Sequence, residues 1–159
     1  MATLEVSATE TIPVPPARVW ELLCDTARYA EWVAGTDEVT RTDGSAAPGS
    51  TYDEINPMLG PWKSKTHWTV EEFDAPRRQV HRGEGIPIAS EFRVIMEVAP
   101  AGEGCEVTLA LRGRSSKGPL GALLTGVMRG QVERDNRKSV QNLARLAARE
   151  LSPSAAGAA

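Results

Sequence analysis

Aromatic residues are scarce in this chain of 159 residues: four tryptophans, two tyrosines and two phenylalanines, 5% of the total. Histidine and cysteine are scarcer still, with two of each. Cys24 and Cys105 lie too far apart to form a metal-binding spacing, and both read as buried apolar fillers in a reducing compartment. No serine sits in a nucleophile elbow, no glycine-rich phosphate loop follows a strand, and no His/Cys/carboxylate cluster has ligand spacing. Metal, phosphate and acyl-enzyme chemistry are therefore not expected, and no cofactor is implied. An excess of basic charge is also missing. The net charge of −3 and pI near 5.5 argue against a nucleic-acid surface. No window reaches the ~18 apolar residues of a membrane span, and the first residues lack the charged and apolar regions of a secretory leader. The expectation is a soluble, cytoplasmic protein, monomer or homodimer, without membrane insertion.

What is present is the composition of one ordinary globular domain, 41% hydrophobic and 25% charged. The domain is expected over residues 1–151, and the tail "SPSAAGAA" (152–159) has no core-forming residue and reads as disordered. In "PVPPARVWELLCDTARYAEWV" the prolines end a strand, and Pro16 suits the first turn of a helix. From Ala17 to Asp25, Val19, Trp20, Leu22, Leu23 and Cys24 group on one side. A second short helix, Thr26 to Val33, has Thr26 as a candidate N-cap, Tyr29 and Trp32 on its apolar face, and Gly35 as a stop.

Six further strands are predicted: Asp37 to Thr42, Ser50 to Asn56, Lys63 to Phe73, Gln79 to Glu84, Ala89 to Val98 and Cys105 to Arg112. Together with Leu4 to Ile12 they make seven. Short turns such as "DGSAAPG", "DAPR" and "PAGEG" separate them and imply an antiparallel meander. From Pro119 onward the apolar residues recur at helical spacing through Leu120, Leu123, Leu124, Val127, Met128, Val132, Val140, Leu143 and Leu146 to Leu151. Such a helix would be about 50 Å long and must lie across a large sheet.

The passage "VPPARVWELLCDTARYAEWV", followed later by "EEFDAPRRQV", resembles the START-like (SRPBCC) superfamily, in particular its polyketide cyclase/dehydrase and lipid-transport branch. The resemblance runs from about Leu4 to Leu151. It implies an α+β helix-grip fold, with a curved seven-stranded antiparallel sheet around the long C-terminal helix and two short helices after the first strand. Trp20 and Trp32 would then seat the helix pair on the sheet. The implied function is binding of a hydrophobic small molecule, such as a lipid, a polyketide or an isoprenoid-like compound, between sheet and helix. The alternative is a polyketide cyclase, aromatase or dehydratase acting on a ligand folded there. A protein-interaction module is a third class, and it would need an exposed apolar patch.

Strand alternation indicates which residues line such a cavity. On the strand from Lys63, the residues Trp62, Ser64, Thr66, Trp68 and Val70 share the expected inward face, opposite Lys63, Lys65 and His67. Ser90, Phe92, Val94, Met96 and Val98 form the inward set of a later strand. Val94, Val107 and Leu109 read as packing against the helix. The expected ligand contacts are Trp62, Thr66, Trp68, Ser90, Phe92, Met96, Leu124, Met128 and Gln131. Candidate catalytic groups are Glu54, Tyr52, Asp135 and His81. For Asp135 a pairing with Arg134, Arg137 or Arg82 competes with a role toward ligand.

Overall fold

The computed structural model describes residues 3–58, 60–87, 89–115 and 118–150. β1 (Thr3–Ile12) runs into Pro13, Pro15 and Pro16, and with Pro16 in the first turn the chain enters helix α1 (Pro16–Cys24). A 3-10 helix follows over Thr26–Glu31. The expected cap role of Thr26 is not found. Asp25 holds the cap position, and the Thr26 hydroxyl instead bonds Thr42 Oγ1 and the Gly44 carbonyl, tying the helix pair to the far edge of the sheet.

Strands β2 (Glu38–Thr42), β3 (Thr51–Pro57), β4 (Lys63–Asp74), β5 (Arg78–Glu84), β6 (Ala89–Ala101) and β7 (Gly104–Ser115) complete one antiparallel sheet of seven strands. Its order is β1-β7-β6-β5-β4-β3-β2, a meander closed by β1 returning beside β7. Predicted and observed strand ends differ by at most three residues. Register breaks between Val39 and Arg41, Val70 and Glu72, and Ala89 and Glu91 are where the sheet can bend.

The C-terminal helix α2 (Gly118–Glu150) lies chiefly along β1 and β7, leaving the inner face of β3 to β6 for α1, the 3-10 helix and open space. This is the helix-grip arrangement. The helix divides into two halves. Val140, Leu143, Leu146 and Ala147 are buried in the main core, and Asn136 Nδ2 donates to the Leu109 carbonyl. Toward the start, however, Leu120, Leu123 and Val127 are 62%, 64% and 63% exposed. The apolar repeat that looks continuous in sequence thus turns Leu120, Leu123 and Val127 to solvent, while Gly121 is buried and Met128 and Val132 face the sheet. The proposed tail, 152–159, lies outside the described residues.

Trp20 belongs to the core as expected, its ring 5.5 Å from that of Phe73. Two strand glycines shape the inner face of the sheet. A Cβ at Gly83 would meet the Trp68 ring at 2.8 Å, and one at Gly113 would meet Phe92 at 3.1 Å. Register sets Trp68 opposite Gly83, Gly83 opposite Phe92, and Phe92 opposite Gly113. Large rings alternate with bare backbone, so the rings lie low on the sheet.

The divided helix makes a stability prediction. Leu143→Ala removes a fully buried side chain and is expected to cost about 2–5 kcal/mol. Leu123→Ala should stay within about 0.5 kcal/mol of the parent in urea denaturation. Equal losses would contradict the division.

Candidate functional site

Between α2 and the inner face of the sheet lies a cavity of about 380 Å³. Its apolar wall comes from β6, β7 and the middle of α2: Phe92, Val94, Met96, Leu109, Leu111 and Met128. The opposite end is built by β3, β4 and the segment after the 3-10 helix. There Glu54 pairs with Thr66 and Asn56 with Ser64 across the strands, and Asn56 Nδ2 reaches back to the Gly35 carbonyl at 2.8 Å. Tyr29, Trp32, Tyr52 and Trp68 form an aromatic cluster at this end. Tyr29 meets Trp32 and Tyr52 edge-on, and Tyr52 stacks on Trp68.

Glu54 is the buried charge candidate of the cavity, only 3% exposed. Its Oε2 accepts hydrogen bonds from Trp68 Nε1 at 2.9 Å and Asn56 Nδ2 at 3.2 Å. Burial pushes the carboxyl upward from the ordinary glutamate value, and the neighbouring Asn56, Thr36 and Trp68 only partly oppose the shift. Thr36 Oγ1 stands near the carboxyl without completing a hydrogen bond among the described residues.

Behind Tyr52 runs a buried chain of polar groups. The Tyr52 hydroxyl lies 2.7 Å from His81 Nδ1, and His81 Nε2 lies 2.8 Å from Gln79 Oε1. Because an amide oxygen only accepts, Nε2 carries the hydrogen, and Nδ1 accepts from the tyrosine. Gln79 continues the chain to Cys24 Sγ at 3.8 Å. Burial lowers the His81 pKa from 6.5 to about 4, so the ring is neutral at physiological pH.

The model of the polyketide cyclase/dehydrase and lipid transport family matches residues 3–148. The chain belongs to this family. An uncharacterised protein of Mycobacterium tuberculosis is 26% identical over 150 residues, covering 92% of this chain and 99% of its own. Among solved structures, the Zhui aromatase/cyclase from Streptomyces sp. R1128 superposes with a TM-score of 0.80 at 17% identity, covering 94% of this chain and 96% of its own. A protein from Thermus thermophilus gives 0.77 at 20% identity, with 92% and 99% covered. The di-domain aromatase/cyclase StfQ of the steffimycin pathway gives 0.76 at 8% identity, covering 94% of this chain and 52% of its own. At these identities the structural likenesses establish the polyketide cyclase/dehydrase fold and no more.

Within that fold, Thr66, Trp68, Phe92, Met96, Met128 and Gln131 all border the cavity. Trp62, Ser90 and Leu124 do not. Trp62 precedes β4, outside the ladder that fixes the alternation, and is 76% exposed. Ser90 falls in the register break between Ala89 and Glu91, which turns it outward to bond the Arg114 carbonyl at 3.2 Å. Leu124, one helical turn before Met128, is half-buried but does not reach the cavity, which α2 borders from Val127 onward.

Among the catalytic candidates, Glu54 and Tyr52 line the cavity deeply and Asp135 lines it at the α2 side. His81 stands behind Tyr52 and is not part of the wall. The arginine pairing considered for Asp135 does not form among the described residues. Asp135 accepts from Gln131, and Arg134 donates to Gln131 instead. Trp32, read from the sequence as core alone, also faces the cavity, as do Gly35 and Thr36. Nothing in the 3-10 helix pattern separates a packing side chain from a lining one. Gly83 and Gly113 were the available signal for a hollowed sheet, since glycine within a strand marks close approach.

The two buried titrating groups oppose each other in acid. Between about pH 6.5 and 4 the unfolded chain holds a proton on His81 that the native state lacks, so native stability falls as pH drops through this window, by about 3 kcal/mol. Glu54 acts in the reverse sense, because its raised carboxyl favours the native state at low pH and that contribution is lost as pH rises through the folded value. Urea unfolding across pH 4.5 to 7 should therefore show a flatter profile for His81→Gln and a steeper acid-side loss for Glu54→Gln. Unchanged profiles in both variants would refute the assignment.

Proposed function

We propose that the protein binds a hydrophobic small molecule of the lipid, polyketide or isoprenoid kind in the cavity between its sheet and its C-terminal helix. The observation that carries this reading is the cavity itself. Its volume of about 380 Å³ falls within the ~300–1,000 Å³ of small-molecule sites, and its wall is aromatic and aliphatic with polar groups at one end. A curved sheet that one helix does not fill gives the cavity its place, and family membership supports a small-molecule role.

A second reading, cyclase or dehydratase chemistry on a ligand held in the same cavity, draws on Glu54. A carboxyl raised by burial beside an apolar wall is suited to general acid or base work. Two of the structural neighbours are aromatase/cyclases, which supports this reading through the fold alone. Under it, Glu54→Gln abolishes turnover while binding persists. Under simple binding there is no turnover to lose.

The binding reading is tested with the neutral probe N-phenyl-1-naphthylamine. It is expected to bind, with its fluorescence enhanced and tryptophan emission quenched. Trp68→Leu keeps apolar bulk but removes the ring, and affinity should fall by about 0.5–1.5 kcal/mol. Lys65→Ala, on the exposed face of β4, should leave binding unchanged. Binding that is insensitive to Trp68 and sensitive to Lys65 would locate the ligand elsewhere.

A further inference from the structure

A second cavity, of about 100 Å³, lies beside the first, between the early turns of α2 and the end of the sheet where β1, β7 and β6 pair. Leu4, Ala89, Gly113 and Thr125 line this space and not the main cavity, and three of the four are too small to fill it. Ile86, Phe92, Met128 and Val132 border both spaces and so stand between them. Phe92 shows the arrangement. Its ring centroid lies 5.9 Å from that of Trp68, which lines the main cavity, and a Cβ at Gly113, which lines the second, would meet the same ring at 3.1 Å.

The residues of this partition differ in freedom. Phe92 is held between the Trp68 ring and the bare backbone of Gly113. Val132 is β-branched and stiff at χ1 within a helix. Met128 is half-buried, unbranched and flexible along its whole side chain, so it can swing aside without any shift of backbone. With Phe92 and Val132 in place the resulting gap is narrow, wide enough for a single alkyl chain and too small for fused rings. The second cavity is almost wholly apolar, and its volume takes about three methylene-sized groups, judged against the ~30 Å³ share of a water molecule. Each methylene buried there is worth about fourfold in affinity.

We propose that the two cavities form one ligand site in tandem, that Met128 is the side chain that opens between them, and that the ligand carries an unbranched alkyl or acyl chain whose end passes Met128 into the second cavity. The inference rests on the binding reading above and narrows its ligand class to chain-bearing lipids. Fused-ring bodies and branched isoprenoid tails stop at the partition. Ala89, Gly113 and Thr125 then set the greatest chain length that the site accepts.

A chain-length series tests it: 1-octanol, 1-decanol, 1-dodecanol and 1-tetradecanol, each displacing N-phenyl-1-naphthylamine. Thr125→Leu and Ala89→Leu fill the second cavity from opposite walls, and filling an apolar void should keep or raise the melting temperature. Thr125 Oγ1 donates to the Gly121 carbonyl of its own helix, so the sheet does not depend on it. For the parent, affinity is expected to rise by about fourfold per methylene through 1-tetradecanol. In either filled variant the series should level off, leaving 1-tetradecanol at least tenfold weaker than in the parent. Met128→Ile keeps the bulk but stiffens χ1, and it should impose the same limit. Filled variants that follow the parent at every length, that weaken all four alcohols equally, or that share their limit with the parent overturn the tandem site and leave binding in the main cavity standing. A Met128→Ile series that follows the parent overturns the role given to Met128. No binding of the probe or of any alcohol overturns the binding reading, and the inference falls with it.

Discussion

One helix cannot fill the concave side of a seven-stranded sheet, and the rest of the molecule follows from that mismatch. α2 lies against β1 and β7, where Val140, Leu143, Leu146 and Ala147 complete the core. The sheet continues past the reach of the helix. α1 and the 3-10 helix cover one end of the remainder, and the uncovered middle is the cavity. Filling it would need side chains larger than those supplied, and the row of Gly83 and Gly113 beneath Trp68 and Phe92 keeps the floor low instead.

A hollow in a protein interior is normally dry and apolar. This one is apolar along β6, β7 and α2 but polar along β3 and β4, where a carboxylic acid is held by an indole N–H and an amide. The two kinds of polar group at that end behave differently. Tyr52, His81, Gln79 and Cys24 are joined in one continuous chain of hydrogen bonds behind the aromatic cluster. Trp32 Nε1, Thr36 Oγ1, Asn56 Oδ1, Ser64 Oγ and Thr66 Oγ1 have no such partner among the described residues.

Much of the fold was legible in the sequence, because its signals are local. Proline before α1, turn residues between strands and period-two alternation placed seven strands and their inward faces without any tertiary information. Thr66, Trp68 and Met96 were placed inward on that basis, and they are. The failures occurred where alternation or helical periodicity was extended past its support. Trp62 lies one residue before the ladder, Ser90 lies in a register break, and Leu124 lies one helical turn before the point where α2 meets the cavity. Side-chain pairing was equally invisible. Whether Asp135 meets an arginine or a glutamine depends on rotamers that the sequence does not specify.

The unequal burial of α2 also bears on how the protein moves. Its backbone is one unbroken helix from Gly118 to Glu150, yet the tertiary contacts that make a helix durable are concentrated after Asn136. Amide hydrogens should therefore exchange on two scales along a single element: slowly, through global unfolding, near Leu143, and faster, through fraying, near Leu123. The faster half borders the cavity through Val127 and Met128. Opening of the helix start thus bares the part of the cavity wall that Val127 and Met128 form.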